Sequence, residues 1–88
     1  METLLEVRND LTSGEAHSTL RYELLAQPMA ERIGYGVAVT NERTGERAVV
    51  ADALTRRADA EALLRRISEG TVTPVTLWDV VEDFVAEI

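Results

Sequence analysis

The segment YGVAVTNERTGERAVVADAL, residues 35–54, decides the fold of this chain. Two β-prone runs, at residues 35–41 and 47–54, flank the polar stretch NERTGE, in which Gly45 suits a left-handed turn position. Two such runs joined by a short loop that contains glycine are typical of a β-hairpin. The hairpin is therefore the first element that the sequence predicts.

One face of the first of these two strands carries almost no side-chain bulk, because Gly36 and Ala38 lie on it. A face of this kind lets another part of the molecule approach the backbone closely. We expect that neighbour to be a packed helix.

A further strand precedes the hairpin. In TLRYELLA, residues 19–26, apolar and polar side chains alternate from Leu20 to Leu24, which is the period of a half-buried strand. Pro28 ends this run, since proline has no N–H to donate to a ladder. Together with the hairpin, this strand makes a three-stranded antiparallel meander.

The N-terminal segment, residues 1–18, is the part that its pattern determines least. Leu4, Leu5 and Val7 support either a short strand or one helical turn. Residues 9–18 are rich in Asn, Asp, Thr, Ser and Gly, which is the chemistry of loops. The segment is therefore either a loop or an extra strand of the sheet.

Two amphipathic helices follow the strands. In TRRADAEALLRRISEG the apolar residues recur at helical spacing, with Thr55 or Asp59 as the N-cap and Gly70 as the C-cap. In the second helix Thr73 suits the N-cap position. Pro74 suits the first helical position, where its missing N–H loses no hydrogen bond.

These elements predict a single α+β domain over residues 19–88. An isolated helix of this length is only marginally stable in water, so its apolar stripe must be covered. The meander has an apolar face with the same need. We expect an antiparallel sheet of three strands, or of four with residues 1–18, and both C-terminal helices packed on one face of it.

Composition excludes several kinds of chemistry and partner. The net charge of −7 repels phosphate backbones and anionic membranes, so we expect no nucleic acid and no membrane as a partner. All nine basic residues are arginine and there is no cysteine, which rules out lysine and cysteine nucleophiles. His17 is the one histidine, in a polar stretch, so we expect no metal site, no cofactor and no catalytic residue.

The sequence also bears on location. The N-terminus carries acids where a signal peptide needs a positive region. No run approaches the roughly 18 apolar residues of a membrane-spanning helix. We therefore expect a cytoplasmic protein.

The last helix holds the candidate site. Its polar side carries acids and no base, and carboxylates near a helix C-terminus oppose the dipole at a cost of a few tenths of a kcal/mol each, roughly. This face is either an ordinary water face or one that an arginine reaches from elsewhere. Trp78 lies at the edge of the apolar stripe, where it is either core margin or an interface anchor. The candidate interface is Trp78, Asp79, Glu82, Asp83, Arg65 and Arg66.

The C-terminal half resembles a group of small uncharacterised proteins from clostridia and related Firmicutes. The similarity lies in VTPVTLWDVVEDFVAEI, residues 72–88, and in the preceding ADAEALLRRISEG. Members are similar in having strands first, then a helix, then a helix started by proline with a core like DVVEDF. The resemblance spans residues 19–88 and implies a fold, but no activity and no site.

Two functions stay open at this point. The first is a non-enzymatic interaction or regulatory module that binds a protein partner or itself, through a sheet edge or the last helix. The second is a small-ligand-binding or enzymatic domain acting through arginines and carboxylates, which predicts a concave pocket where such side chains converge. We favour the first because the residues that most catalysis requires are missing.

Overall fold

The computed structural model describes residues 1–88, with the side chain of Ser13 left out of the description. Four strands form one antiparallel sheet in the order β1-β2-β3-β4, and two helices follow, so the predicted α+β fold is confirmed. The elements are β1 Glu2–Ser13, β2 Ala16–Pro28, β3 Ile33–Asn41, β4 Arg47–Leu54, α1 Arg57–Glu69 and α2 Leu77–Glu87.

Of the two alternatives left open for residues 1–18, the extra strand is the one found: residues 2–13 form β1, and residues 16–18 begin β2. β1 pairs with β2 up to the Ser13–Ala16 pair, and Gly14 and Glu15 form the connecting turn. Gly14 has a φ of +61°, which suits the first central position of a type II′ turn, the kind that continues the twist of a hairpin. The polar residues around this turn lie in paired strands that project to an exposed tip.

Both helices pack on one face of the sheet, as predicted; we call it the helix face. Leu20, Tyr22 and Leu24 of β2 lie on this face and are fully buried. Val37 and Val39 of β3 stand beside them in register. The core consists of Leu20, Tyr22, Leu24, Val37, Val39, Val50, Leu54, Ala60, Leu63, Leu64, Ile67, Leu77, Val81 and Phe84. Neither helix has the length and apolar composition to cross a membrane, among the residues that the structure describes.

β4 bulges where it passes Gly36. The register jumps at this point, so that residues 51–53 of β4 stand opposite this single residue. A Cβ on Gly36 would overlap the carbonyl oxygen of Val50 and would lie 2.9 Å from the Cα of Ala51. The close neighbour is therefore the bulged backbone of β4, and the packed helix that we expected there is wrong. Asp52, inside the bulge, takes a φ of +50°.

The end of α1 is a Schellman motif. The N–H of Val72 donates to the carbonyl of Ile67 at 3.0 Å, and the N–H of Thr71 donates to Ser68 at 3.3 Å. Gly70 is the C-cap, as predicted, but its φ is −81°; the left-handed residue is Thr71, at +52°. A β-branched residue in this conformation is strained.

The predicted N-caps of both helices are wrong. Arg56 takes the N-cap position of α1 because the chain leaves β4 in an extended conformation. α2 starts at Leu77, after a turn in which the N–H of Thr76 donates to the carbonyl of Thr73 at 3.2 Å. Proline fixes φ at a value that fits both a first helical position and the second position of a β-turn. At Pro74 the chain takes the turn.

The approach of β4 to Gly36 predicts a graded effect of added methyl groups. Gly36→Ala should lower the free energy of unfolding by roughly 2–3 kcal/mol, because the obstacle is backbone and cannot rotate away. Gly34→Ala is the matched control, since the atoms nearest to its Cβ belong to the side chain of Asp52, which can move away at the cost of its ion pair with Arg32. Urea unfolding of the three proteins measures the difference. Equal losses at both positions would contradict this account of the bulge.

The strained C-terminus of α1 predicts a stabilising substitution. Thr71→Gly should raise the free energy of unfolding by roughly 0.5–1 kcal/mol, because glycine adopts a positive φ without the steric penalty that β-branched residues incur. Thr55→Gly is the control, since Thr55 has no positive φ and glycine there only adds freedom to the unfolded chain. Thermal melts should move the two variants in opposite directions; a lower melting temperature for Thr71→Gly contradicts the assignment.

Candidate functional site

A groove of about 430 Å³ runs between the bulge of β4 and one side of α2. Its size falls within the roughly 300–1,000 Å³ of sites that bind small ligands or side chains of a partner. The wall residues are mostly apolar. They are Val50, Ala51, Asp52, Ala53, Trp78, Val81, Glu82, Val85 and Ala86.

Helical spacing places the α2 side of the groove. Trp78 and Glu82 are one turn apart on the same side of the helix, and Val81 and Val85 repeat that spacing next to them. Val81 is buried in the core, whereas Trp78 is 54% exposed. A large aromatic side chain that lines a groove while half of its surface meets solvent is the type of residue that anchors a partner. The structure thus leaves Trp78 outside the core.

The β4 side of the groove carries a neutralised carboxylate. Asp52 accepts two hydrogen bonds from Arg32, at 2.8 and 3.1 Å, in a bidentate ion pair. These hydrogen bonds and the charge of Arg32 hold the pKa of Asp52 below its ordinary value against the opposing effect of desolvation. On the opposite wall Glu82 is exposed, and no described residue forms an ion pair with it. The negative charge of the groove therefore comes mainly from Glu82.

The structure separates the sequence-predicted candidates into two groups. Trp78 and Glu82 line the groove, while Asp79 and Asp83 are exposed further round α2. Arg65 and Arg66 lie at the other helix, away from the groove wall.

Of the two alternatives for the acidic face of α2, an arginine contact is found for one acid, while Asp79, Glu82 and Asp83 face solvent. Arg66 Nη1 lies 3.0 Å from Glu87 Oε2, and the Arg66 guanidinium sits 5.2 Å from the centre of the Phe84 ring. This contact offsets the unfavourable position of Glu87 at the C-terminal end of the helix dipole. It also ties the two helices together.

A second polar cluster lies on the outer face of the sheet, which the helices do not cover. Glu23 is only 8% exposed there. Its Oε1 accepts a hydrogen bond from Arg47 at 2.7 Å, and its Oε2 accepts one from Thr3 at 2.8 Å. Arg47 also donates to Thr40, at 2.7 Å. Sequence reasoning placed Glu23 on the polar side of β2 but gave no sign that its carboxylate would be buried and shared between three strands.

Burial by itself would raise the pKa of Glu23. The hydrogen bonds from Arg47 and Thr3, together with the charges of Arg47 and Arg21, outweigh it, and the net pKa lies below the ordinary value of 4.5. A carboxylate with a lowered folded-state pKa stabilises the fold above its unfolded-state pKa. That contribution is lost as the pH falls through the folded-state value.

Glu23→Gln tests this linkage. The variant should be about 1–2 kcal/mol less stable than the parent at pH 7, because it loses hydrogen bonds to a charged acceptor. Its stability should also fall less steeply than that of the parent between about pH 5 and pH 3. Urea unfolding across this range measures both effects. The exposed Glu15→Gln is the control; if it flattens the acid limb as much as Glu23→Gln, the cluster is not the cause.

The comparisons with known proteins bear on this chain in one respect. No curated protein and no solved structure matches it. The model of one family, described as the family of unknown function DUF6514, matches residues 1–87. That match includes the N-terminal strand, which the resemblance drawn from the sequence left out. Because it covers nearly the whole chain, the protein belongs to the DUF6514 family, a family of unknown function.

Proposed function

We propose that this protein is a non-enzymatic, cytoplasmic interaction module that binds a basic, amphipathic segment of a partner protein in the groove between β4 and α2. The observation that carries the proposal is the exposed Trp78 on an apolar wall that borders an all-acidic helix face. A bacterial, clostridial origin stays a prediction from the sequence resemblance alone.

The shape of the groove supports an apolar anchor from the partner. Val50 and Val81 are almost fully buried, whereas Val85 and Trp78, which line the same groove, are substantially exposed to solvent. Binding energy in protein interfaces concentrates where a side chain fills such a pocket and excludes water, and tryptophan is among the residues most often found there. One aliphatic or aromatic side chain of a partner suits this space.

The charge around the groove supports a basic partner. Asp79, Glu82 and Asp83 are exposed on α2, and α2 has no base of its own. Arginines offset the charges of two nearby acids, since Arg66 pairs with Glu87 and Arg32 pairs with Asp52. Asp79, Glu82 and Asp83 have no such partner among the described residues, and they present their negative charge to solvent. Complementary charge raises the association rate and selects against acidic competitors.

A small cationic ligand is the second candidate, because two carboxylates, Asp52 and Glu82, line one concave space. Arg32, which is bonded to Asp52, adds an arginine close to these carboxylates, and this supports the ligand-binding alternative. The groove is open along its length, and its free charge lies at the rim on Glu82. These features suit an extended segment better than an enclosed small molecule.

Trp78 is the only tryptophan, so it reports directly on occupancy of the groove. Random twelve-residue peptides displayed on phage can be selected against the full chain. Enriched peptides without tryptophan should combine arginine or lysine with a large apolar residue and should shift the emission of Trp78. Glu82→Arg should weaken their binding at least about tenfold, equivalent to about 1.4 kcal/mol.

Glu69→Arg is the matched control, because it makes the same charge change at an exposed position at the end of α1. Binding to this variant should stay within about twofold of the parent. Peptides that lack basic residues, or that bind Glu82→Arg as tightly as the parent, would contradict the proposal. Saturable binding of arginine amide alone, at an affinity close to that of the peptides, would favour the small-ligand alternative.

A further inference from the structure

β1 is an edge strand with one side open. The strand order places β2 on one side of it and leaves the other side without a neighbouring strand. Along this twelve-residue strand, alternate backbone N–H and C=O groups therefore point away from the sheet. An exposed edge of this length is a template for pairing with another strand.

The apolar cover of the helix face is incomplete at this edge. Tyr22 and Leu24 of β2 are fully buried, whereas Val7 and Leu5, which stand opposite them on β1, are 37% and 38% exposed. Asn9, next along the strand, donates its side-chain N–H to the carbonyl of Ser68 at the end of α1. β1 is thus held at Asn9, and Leu4 and Leu11 pack partly against the core, while Leu5 and Val7 stay open to solvent.

The outer face of the same strand carries charges that alternate in sign. Glu6 and Arg8 flank Val7 and are both exposed. In an antiparallel pair of two identical strands, directly opposite residues lie on the same face, and a two-fold axis through one residue sets all other pairs. The sequence around the axis therefore decides whether opposite charges meet or like charges meet.

We propose that β1 pairs antiparallel with β1 of a second copy of this chain, with the two-fold axis at Val7. Glu6 then faces the second copy's Arg8 twice by symmetry, and the two Val7 side chains meet on the helix face. Axes at Glu6 or Arg8 would place like charges directly opposite each other, which destabilises a strand pair. The two four-stranded sheets become one continuous sheet of eight strands, and the open side of β1 is covered in each copy.

Single charge reversals test both the interface and its register. Glu6→Arg alone places arginine opposite Arg8, and Arg8→Glu alone places glutamate opposite Glu6, so each should raise the dimer dissociation constant at least tenfold. Within one chain the new charges face Glu23 and Arg21 across β2, so neither variant should unfold. Sedimentation velocity over a concentration series measures association, and circular dichroism checks the fold.

An equimolar mixture of the two variants is the decisive sample. In the mixed pair, the arginine introduced by Glu6→Arg faces the glutamate introduced by Arg8→Glu. The unchanged Arg8 of the first chain faces the unchanged Glu6 of the second, so both pairs join opposite charges. Native mass spectrometry should show heterodimers in excess of either homodimer. Arg43→Glu and Glu69→Arg, the same changes at exposed positions outside β1, should leave the parent dimer unchanged.

Three results would overturn the proposal. The first is a parent chain that stays monomeric up to the highest soluble concentration. The second is dissociation by Arg8→Glu but not by Glu6→Arg, which indicates an axis at Asn9 with Arg8 opposite Asp10. The third is a failure of the mixed variants to associate. A dimer that responds to Glu82→Arg instead would place the contact in the groove, so the two surfaces are tested independently.

Discussion

The close passage of the β4 backbone over Gly36 is the constraint on which the rest of the structure depends. It exists because Gly36 has no Cβ, so the carbonyl of Val50 can occupy the space that a side chain would fill. Residues 51–53 are pushed out as a bulge, and these same residues form one wall of the groove. The bulge also turns Asp52 towards Arg32, so one wall of the site is neutral. A strand that paired evenly with β3 would leave no such recess beside α2.

The second determinant is the mismatch between strand and helix lengths. β1 and β2, with 12 and 13 residues, each extend about 40 Å at about 3.3 Å per residue, whereas the 13 residues of α1 extend only about 20 Å at 1.5 Å per residue. The helices therefore cover only part of the length of these strands. Because α1 packs mainly over β2 and β3 and α2 packs over β4, β1 is left partly uncovered. The hydrogen bond from Tyr22 to the carbonyl of Val72, at 2.9 Å, fixes the chain between the helices over β2. Leu5 and Val7 of β1 are exposed because the helices are anchored over β2 and do not extend across β1.

The sequence predicted those elements whose pattern is local and repeats. The β3–β4 hairpin follows from alternation and from Gly45, whose φ is +78° as expected, and the helices follow from their apolar period. It left residues 9–18 undecided between loop and strand, because the polar residues on either side of Gly14 show no clear alternation of apolar and polar side chains although they are paired in strands. It predicted a helix as the neighbour of Gly36, where the structure has the backbone of β4. A strand face with small side chains indicates that another segment packs closely against it, but it does not identify that segment. Trp78 and Glu82 were found by type and spacing, yet the wall opposite them comes from residues 51–53, about 27 positions earlier in the chain, and no local pattern links the two.

The distribution of charge differs between the edge at β1 and the groove beside α2, and this difference bears on which partner each surface suits. On the outer face of the sheet Glu6, Glu23 and Glu42 lie close to Arg8, Arg21 and Arg47, so this region is nearly balanced. Much of the net charge of −7 therefore belongs to the exposed acids of α2. Two copies that met through α2 would bring these acids together, and like charges across an interface disfavour association. The balanced edge at β1 lacks this barrier. The self-association that we propose at β1 and the cationic segment that we propose for the groove therefore use different surfaces, and both contacts fit on one chain without competing.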